Sequence, residues 1–497
     1  MRAKTYKLLA LVGMLLGLTL ANVLVAGTVM AQDTTLAPVA ADASQCTVVV
    51  APGQLIQSAI NPARSGAVIC VRGGTYREQI KIKPVNAGIT LMAYPGERPI
   101  LDGQGALPPV TAKNTTPPLL LVGAENVTVD GFEVRNSAAR GVTISKSNVT
   151  VRNLVVRDSR SIGLVATGSS AQNIRNVLVE DSIVYNNLLM NAGGTAGGSA
   201  LTFIQVEDST ARGNRVYHNY GEGLVAGRRS RNILFEGNTT YDNRGANLYL
   251  VNTTNPVVRG NFIFCTNDPI SWRGNGGLYR PGPGLQIRDE NFKAPQPPPS
   301  SGHVIVNNIV VGCGSNFGVS TQIPNGGLVN ALVANNSFIN ARSVSGEAAN
   351  NIEFDGRASY RNSRFVNNLI VQTVPGTITR IQVATGTPDL TGFVISNNLY
   401  SKAPSNGWFG TEPGRVVADA LLANPIMPVM TALPLPAGYA LLPLSPAVNG
   451  GTNVAQVTHD FFRVSRDSVT DIGADELGGS TGFDIPGNGA VVAENGG

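Results

Sequence analysis

Apolar and polar residues alternate in short runs along most of the chain, and the runs recur. NVTV (126–129), NVTV (148–151), NVLV (176–179), NILF (232–235) and ALVA (331–334) form one column. GVTI (141–144), GLVA (163–166), ALTF (200–203), GLVA (223–226), NLYL (247–250) and GLQI (284–287) form a second. A third runs from VDGFEVRNS (129–137) and VRNLVVRDS (151–159) through RGNRVYHN (212–219) and EGNTTYDN (236–243) to NNIVVGC (307–313) and NNLYS (397–401). Each run has period two and is broken by Gly, Asn or Asp, which is the pattern of a short strand between bends. No helical period of 3.6 is sustained over this region.

Three strands and three bends repeating every 22 or more residues predict an all-β fold, a single-stranded parallel β-helix in which each strand pairs with its counterpart one coil on. A propeller needs a four-strand unit of about 40 residues and a leucine-rich repeat a Leu consensus; neither is present. About eleven or twelve coils at the ~4.8 Å inter-strand spacing give a stack of about 55 Å. One column holds Gly131, Asn153, Ser182, Asn214, Asn238, Asn261, Asn308, Asn336, Asn368 and Asn398. Asn tolerates the left-handed bend and bonds backbone, and stacked amides bond one another. The asparagines of this column are therefore expected to form a structural ladder. The 47-residue step between Asn261 and Asn308 marks an insertion, 268–302, whose PQPPPSSG segment cannot be strand.

The first residues carry Arg2, Lys4 and Lys7, then a long apolar run ending Val29-Met30-Ala31. This pattern predicts a signal peptide over 1–31, a flexible leader over 32–45, the β-helix with its caps over 46–477 and a Gly-rich flexible tail over 478–497. An uncleaved membrane anchor is the alternative reading of the apolar run. Loss of the three bases lowers the formal charge from +5 to +2, which gives no support to a nucleic-acid partner. An exported chain with an even number of cysteines is expected to form disulfides. Cys265 closes the coil before the insertion and Cys313 ends the equivalent strand of the next, so these two are expected to pair.

Residues 52–103 contain IQ-x-AI, GTYRE, ITL and RPILDG. The series resembles the opening coil of right-handed parallel β-helix proteins of the pectin-lyase-like superfamily, which includes polysaccharide lyases, polygalacturonases, pectin esterases and uronan epimerases. The resemblance spans about 50–475 and implies fold more strongly than activity. SPAVNGG (445–451) and DIGADELG (471–478) resemble the ending of bacterial surface β-helix proteins, with Asn449 where an Asp is usual and Asp475 where an aromatic is usual. That ending is expected to cover the unpaired edge of the last coil, with Asp471 and Glu476 in structural roles. A Cys46–Cys70 bridge would tie the N-terminal cap to the first coil.

Candidate chemistry concentrates in YHNYGEGLVAGRRSRN (217–232) and the two coils after it. Register points Leu224, Leu248 and Leu285 inward and Val225, Tyr249 and Gln286 outward. A lyase needs a base and a group to neutralise a uronate. Tyr249 or Arg228 can supply the first, and Ca²⁺ held by Asp289 and Glu290 the second. A glycosidase needs two carboxylates, which Glu222 with Asp289 or Glu290 can provide. His218, Tyr220, Asn247, Trp272 and Gln286 are candidates for holding sugar, Trp272 by stacking. The plainer reading makes Glu222 a partner for bend amides, Arg228, Arg229 and Arg231 a solvated face, and His218 turn filler. There is no GGxGxD repeat, HExxH, GxSxG, P-loop or Asp-Pro-His motif. The chain is expected to be a secreted or cell-surface monomer that binds extracellular polysaccharide. It is then either a lyase- or hydrolase-type enzyme or a non-catalytic adhesion rod.

Overall fold

The computed structural model describes residues 42–104, 117–169, 171–192, 197–273, 280–293, 295–343, 349–382, 386–404 and 411–478. The chain divides into two units, Met1–Thr35 and Leu36–Gly497; the first, with the expected signal peptide and most of the leader, lies outside the described residues, as does nearly all of the expected tail.

In the main unit three parallel sheets of 14, 13 and 11 strands run side by side. Each takes its strands coil by coil in chain order, one per coil except where Ile174–Arg175 and Val177–Glu180 both pair with Val206–Arg212 in the first sheet, which is the right-handed parallel β-helix that the repeats predict. The first sheet extends from Val48–Val50 to Val394–Ser396, the second from Gly74–Tyr76 to Val416–Val417, and the third from Ile80–Ile82 to Thr377–Gln382. The short helix Ile56–Ile60 closes the start, its free amides at Ile56 and Gln57 donating to Glu78 at 2.7 and 3.0 Å. Among the described residues the one antiparallel pair of strands, Trp272–Arg273 with Arg280–Pro281, lies in the insertion, and isolated antiparallel bridges such as Leu422 with Leu441 occur in the C-terminal segment. No described helix is long and apolar enough to cross a membrane.

Inward positions stack in register: Leu201, Leu224, Leu248, Leu285, Phe317 and Ile352 face one another coil by coil and are buried. The asparagine ladder runs beside them. The amide of Asn214 donates to Asn238 Oδ1 at 3.0 Å, and the chain continues through Asn261, Asn308, Asn336 and Asn368 to Asn398 in steps of 2.9 to 3.0 Å. Each such bond contributes about 1 kcal/mol, and an orphaned buried amide costs about 1–3 kcal/mol. Asn153 differs. It stands at the bend with φ 55° and donates to Asp130 Oδ1, while Leu154 occupies the ladder position of that coil. A second ladder, unforeseen, links Asn187, Asn219, Asn243 and Asn247 and ends on Cys265 Sγ.

Both expected disulfides form, Cys46–Cys70 and Cys265–Cys313, with Cα atoms 5.6 and 4.9 Å apart. The C-terminal segment departs from the expected cap over the last coil. It packs sideways on the second sheet, where Leu422, Tyr439, Leu441, Phe461 and Ile472 meet Phe262, Ile309, Ile339 and Leu369. These outward strand residues are apolar, unlike Glu133 and Arg135 on an earlier coil, so this stretch of the face has to be covered. Asp471 accepts from the Asn449 and Leu477 amides, and Glu476 pairs with the buried Arg466 at 2.8 Å. Both acids are structural.

Candidate functional site

The third sheet carries the candidate site on its outer face. Strand Glu222–Gly227 enters through a Gly-Glu-Gly bend whose glycines have a steric cause. A Cβ at Gly223 would lie 2.5 Å from the Asn247 carbonyl of the next coil, and one at Gly221 would overlap the Gly198 carbonyl. Glu222 is thus the one side chain the bend can display, and it is half-buried.

One coil on, the Tyr249 hydroxyl donates to Glu290 Oε1 at 2.7 Å. Burial pushes the phenol well above its usual range, and the negative charges of Glu290 and of Glu222 push it the same way. Arg288 Nε lies 4.0 Å from Glu290 Oε1. Glu222, Arg288 and Glu290 therefore all act electrostatically on Tyr249, the group spanning three successive coils. Gln286, beside them, donates to Ser320 Oγ at 3.3 Å. In this arrangement Tyr249 is a donor that holds a carboxylate. Phe292 from the insertion roofs part of this face, packing on Val225, Tyr249 and Val251, and the Arg228 guanidinium lies 4.7 Å above its ring.

Strand alternation separates Asp289 from Glu290. Asp289 is fully buried and accepts from the Ser300 and Gly327 amides at 2.8 and 2.7 Å, fastening the insertion to the helix. With both oxygens so engaged and Glu290 on the opposite face, the two do not form a calcium cage, and among the described residues they join no converging group of three His, Cys, Asp or Glu side chains. Asn247 is buried in the second ladder and Trp272 is buried with its indole donating to the Thr266 carbonyl at 3.2 Å, so neither faces a ligand. Tyr220 is half-buried at the bend before Glu222.

His218 sits apart from the Tyr249 cluster, at a left-handed bend (φ 50°) between the second and third sheets. Its Nε2 lies 3.5 Å from Asp242 Oδ2 and 3.3 Å from Asp268 Oδ2. Neither acid was expected at a site. Asp242 is visible in the alignment of YDN (241–243) with YHN (217–219), whereas Asp268 arrives through the fold of the insertion.

The fold and this outer-face cluster define a right-handed parallel β-helix protein. Residues 35–258 match the family model described as Pel9A-like, right handed beta helix region. Among solved structures, XylC in complex with xylose is 11% identical, with 86% of this chain and 98% of that one covered and a TM-score of 0.52. Pectate lyase Pel9A is 13% identical over 87% and 99% of the two chains, with a TM-score of 0.47. The α-1,3-glucanase catalytic unit from Streptomyces thermodiastaticus strain HF3-3 is 16% identical over 77% and 71%, also at 0.47. These likenesses are of fold. No curated protein matches the chain.

Proposed function

We propose that the chain is an exported, monomeric carbohydrate-active enzyme that hydrolyses a polysaccharide bound along the outer face of the third sheet. The observation that carries this reading is Tyr249 donating to Glu290, with Glu222 close enough for its charge to act on the same phenol. Glu290, oriented by the Tyr249 hydroxyl, is the carboxylate that activates water or attacks the anomeric carbon. Glu222 is then the acid that protonates the leaving oxygen. Gln286 and Arg288 are placed to bind hydroxyl or carboxylate groups of the sugar. The saccharide ligand of XylC and the Pel9A-like match support a saccharide as the ligand class.

Phe292 over Val225, Tyr249 and Val251 favours a second reading, a non-catalytic surface or adhesion module. The test is a panel of uronic-acid and neutral polysaccharides, with Ca²⁺ and with chelator. New reducing ends, lost in Glu222→Gln and Glu290→Gln while folding persists, support hydrolysis. Unsaturated product absorbing near ~235 nm would replace hydrolysis by β-elimination, the proton transfer passing to another base. No product from any polymer, with binding retained, would leave the adhesion reading.

A further inference from the structure

A second site lies on the bend between the second and third sheets, and it does not depend on the proposed hydrolase. His218 and Asp242 occupy the same bend position in consecutive coils, following Tyr217 and Tyr241, which are paired in register. Both adopt the left-handed conformation, with φ of 50° and 49°. Asp268 comes from the start of the insertion, where the chain curls through Pro269–Ser271. Thr266, fully buried, fixes both acids. Its amide and hydroxyl donate to the two oxygens of Asp242 at 2.7 and 2.6 Å, and its hydroxyl accepts from the Asp268 amide at 3.1 Å. The imidazole is held edge-on against Tyr217 and Tyr241, with ring centroids 5.2 and 5.6 Å away.

The distances separate two ways in which such a trio can hold together. Charge-assisted N–H···O bonds measure about 2.7–2.9 Å, and the imidazole-to-carboxylate distances of 3.3 and 3.5 Å are longer. Ligand atoms about 2.0–2.1 Å from a tetrahedral ion stand about 3.3–3.4 Å from one another. All three ligand atoms lie within 4.8 Å of each other. Charge points the same way. Buried Asp102 and Asp130 each pair with an Arg, whereas among the described residues the imidazole of His218 is the one basic group within ion-pair distance of Asp242, with Arg342 acting on that acid from further off. The acids' side chains are 1% and 4% exposed and that of His218 is 37% exposed, so the ligand set is shielded behind and open in front.

We propose that His218 Nε2, Asp242 Oδ2 and Asp268 Oδ2 bind a divalent transition-metal ion of the zinc class. One nitrogen and two carboxylate oxygens suit such an ion, while Ca²⁺ takes oxygen ligands alone. Three protein ligands leave a fourth position on the exposed side for water or a ligand hydroxyl, and Thr266 is the outer support that orients two of the three.

The test is metal titration of the purified protein, first with Zn²⁺ by calorimetry and then with Co²⁺ by visible absorption. One Zn²⁺ per chain is expected, displacing Co²⁺ whose absorption has the intensity of four-coordination, with Ca²⁺ failing to compete. His218→Asn is the informative variant, because Asn186 already occupies the same bend one coil earlier and bonds Asp158 at 2.5 Å; it should fold and bind at least tenfold more weakly. Asp268→Asn should do the same. Absence of Zn²⁺ binding by the folded wild type, or binding unchanged in both variants, overturns the proposal.

Discussion

Glu412 accepts both the backbone amide and the side-chain amide of Asn398, at 2.9 and 2.8 Å. The asparagine ladder therefore ends on a carboxylate and not on water, and burial pushes that carboxylate up from its usual range. Replacing Glu412 by Ala leaves two buried donors without an acceptor and should cost about 1–3 kcal/mol, whereas Gln keeps a carbonyl in place and should cost less. Hydrogen exchange at Asn368 and Asn398 is the local measurement. Equal protection in wild type and Glu412→Ala would show that the ladder does not need its terminus.

Within the ladder, Asn238 donates forward to Asn261 and accepts the amides of Asn214. Asn238→Ala should destabilise the coil by about 2–4 kcal/mol, combining lost bonds and stranded donors. Asn176 bonds Asn148 at an exposed left-handed bend, and Asn176→Gly, which keeps that backbone conformation, should stay within about 1 kcal/mol. Denaturant midpoints of the two variants compare them directly. A similar cost at both positions would contradict the burial argument.

These predictions also mark what the sequence could reveal. The NN pairs at 307–308, 335–336, 367–368 and 397–398 place one Asn at the left-handed bend and the next in the ladder. A single Asn such as Asn153 fits both roles by composition, so register alone assigned it wrongly by one place. Alternation along Leu285–Glu290 does say that Asp289 faces inward and Glu290 outward, yet two adjacent acids read more readily as one cluster. Asp268 was not legible because its position depends on how the insertion folds. The C-terminal segment was recognisable as a cover, but which surface it covers depends on the apolar outward residues of the second sheet.

Burial raises Asp460 to about 7 from an ordinary 3.8, with Val464 and Glu476 amides and Arg466 opposing the shift and Asp475 adding to it. Between those two values the folded chain binds a proton that the unfolded chain has released. Stability contributed here is therefore greatest at acid pH, declines as pH rises from about 4 to 7, and is flat above. Asp471 and Asp475 are shifted in the same direction, again chiefly by burial. His303, lowered by burial from 6.5 to about 3, works the opposite way between those values, so the Asp460 contribution is read against Asp460→Asn: the difference in thermal midpoint in favour of the wild type should be larger at pH 5 than at pH 8. A difference that grows toward pH 8 would contradict the sign.

Tyr249→Phe keeps the ring against Val225 and Phe292 and removes only the bond to Glu290. In the proposed hydrolase Tyr249 is a positioning residue. Its loss should lower kcat about tenfold and leave KM within about twofold, the pattern of an interaction made in the transition state and not in substrate binding. An unchanged kcat, or a rise in KM alone, would remove Tyr249 from the reaction.

The paired asparagines also make the coil a unit of count. Removing a complete coil would join an amide donor to an equivalent acceptor on the next rung, with bend, ladder and inward residue all still in phase. Removing half of one would set a bend asparagine against a ladder position. The length of this fold is therefore adjustable in whole turns of chain, and loops can be added at its corners without disturbing that arithmetic.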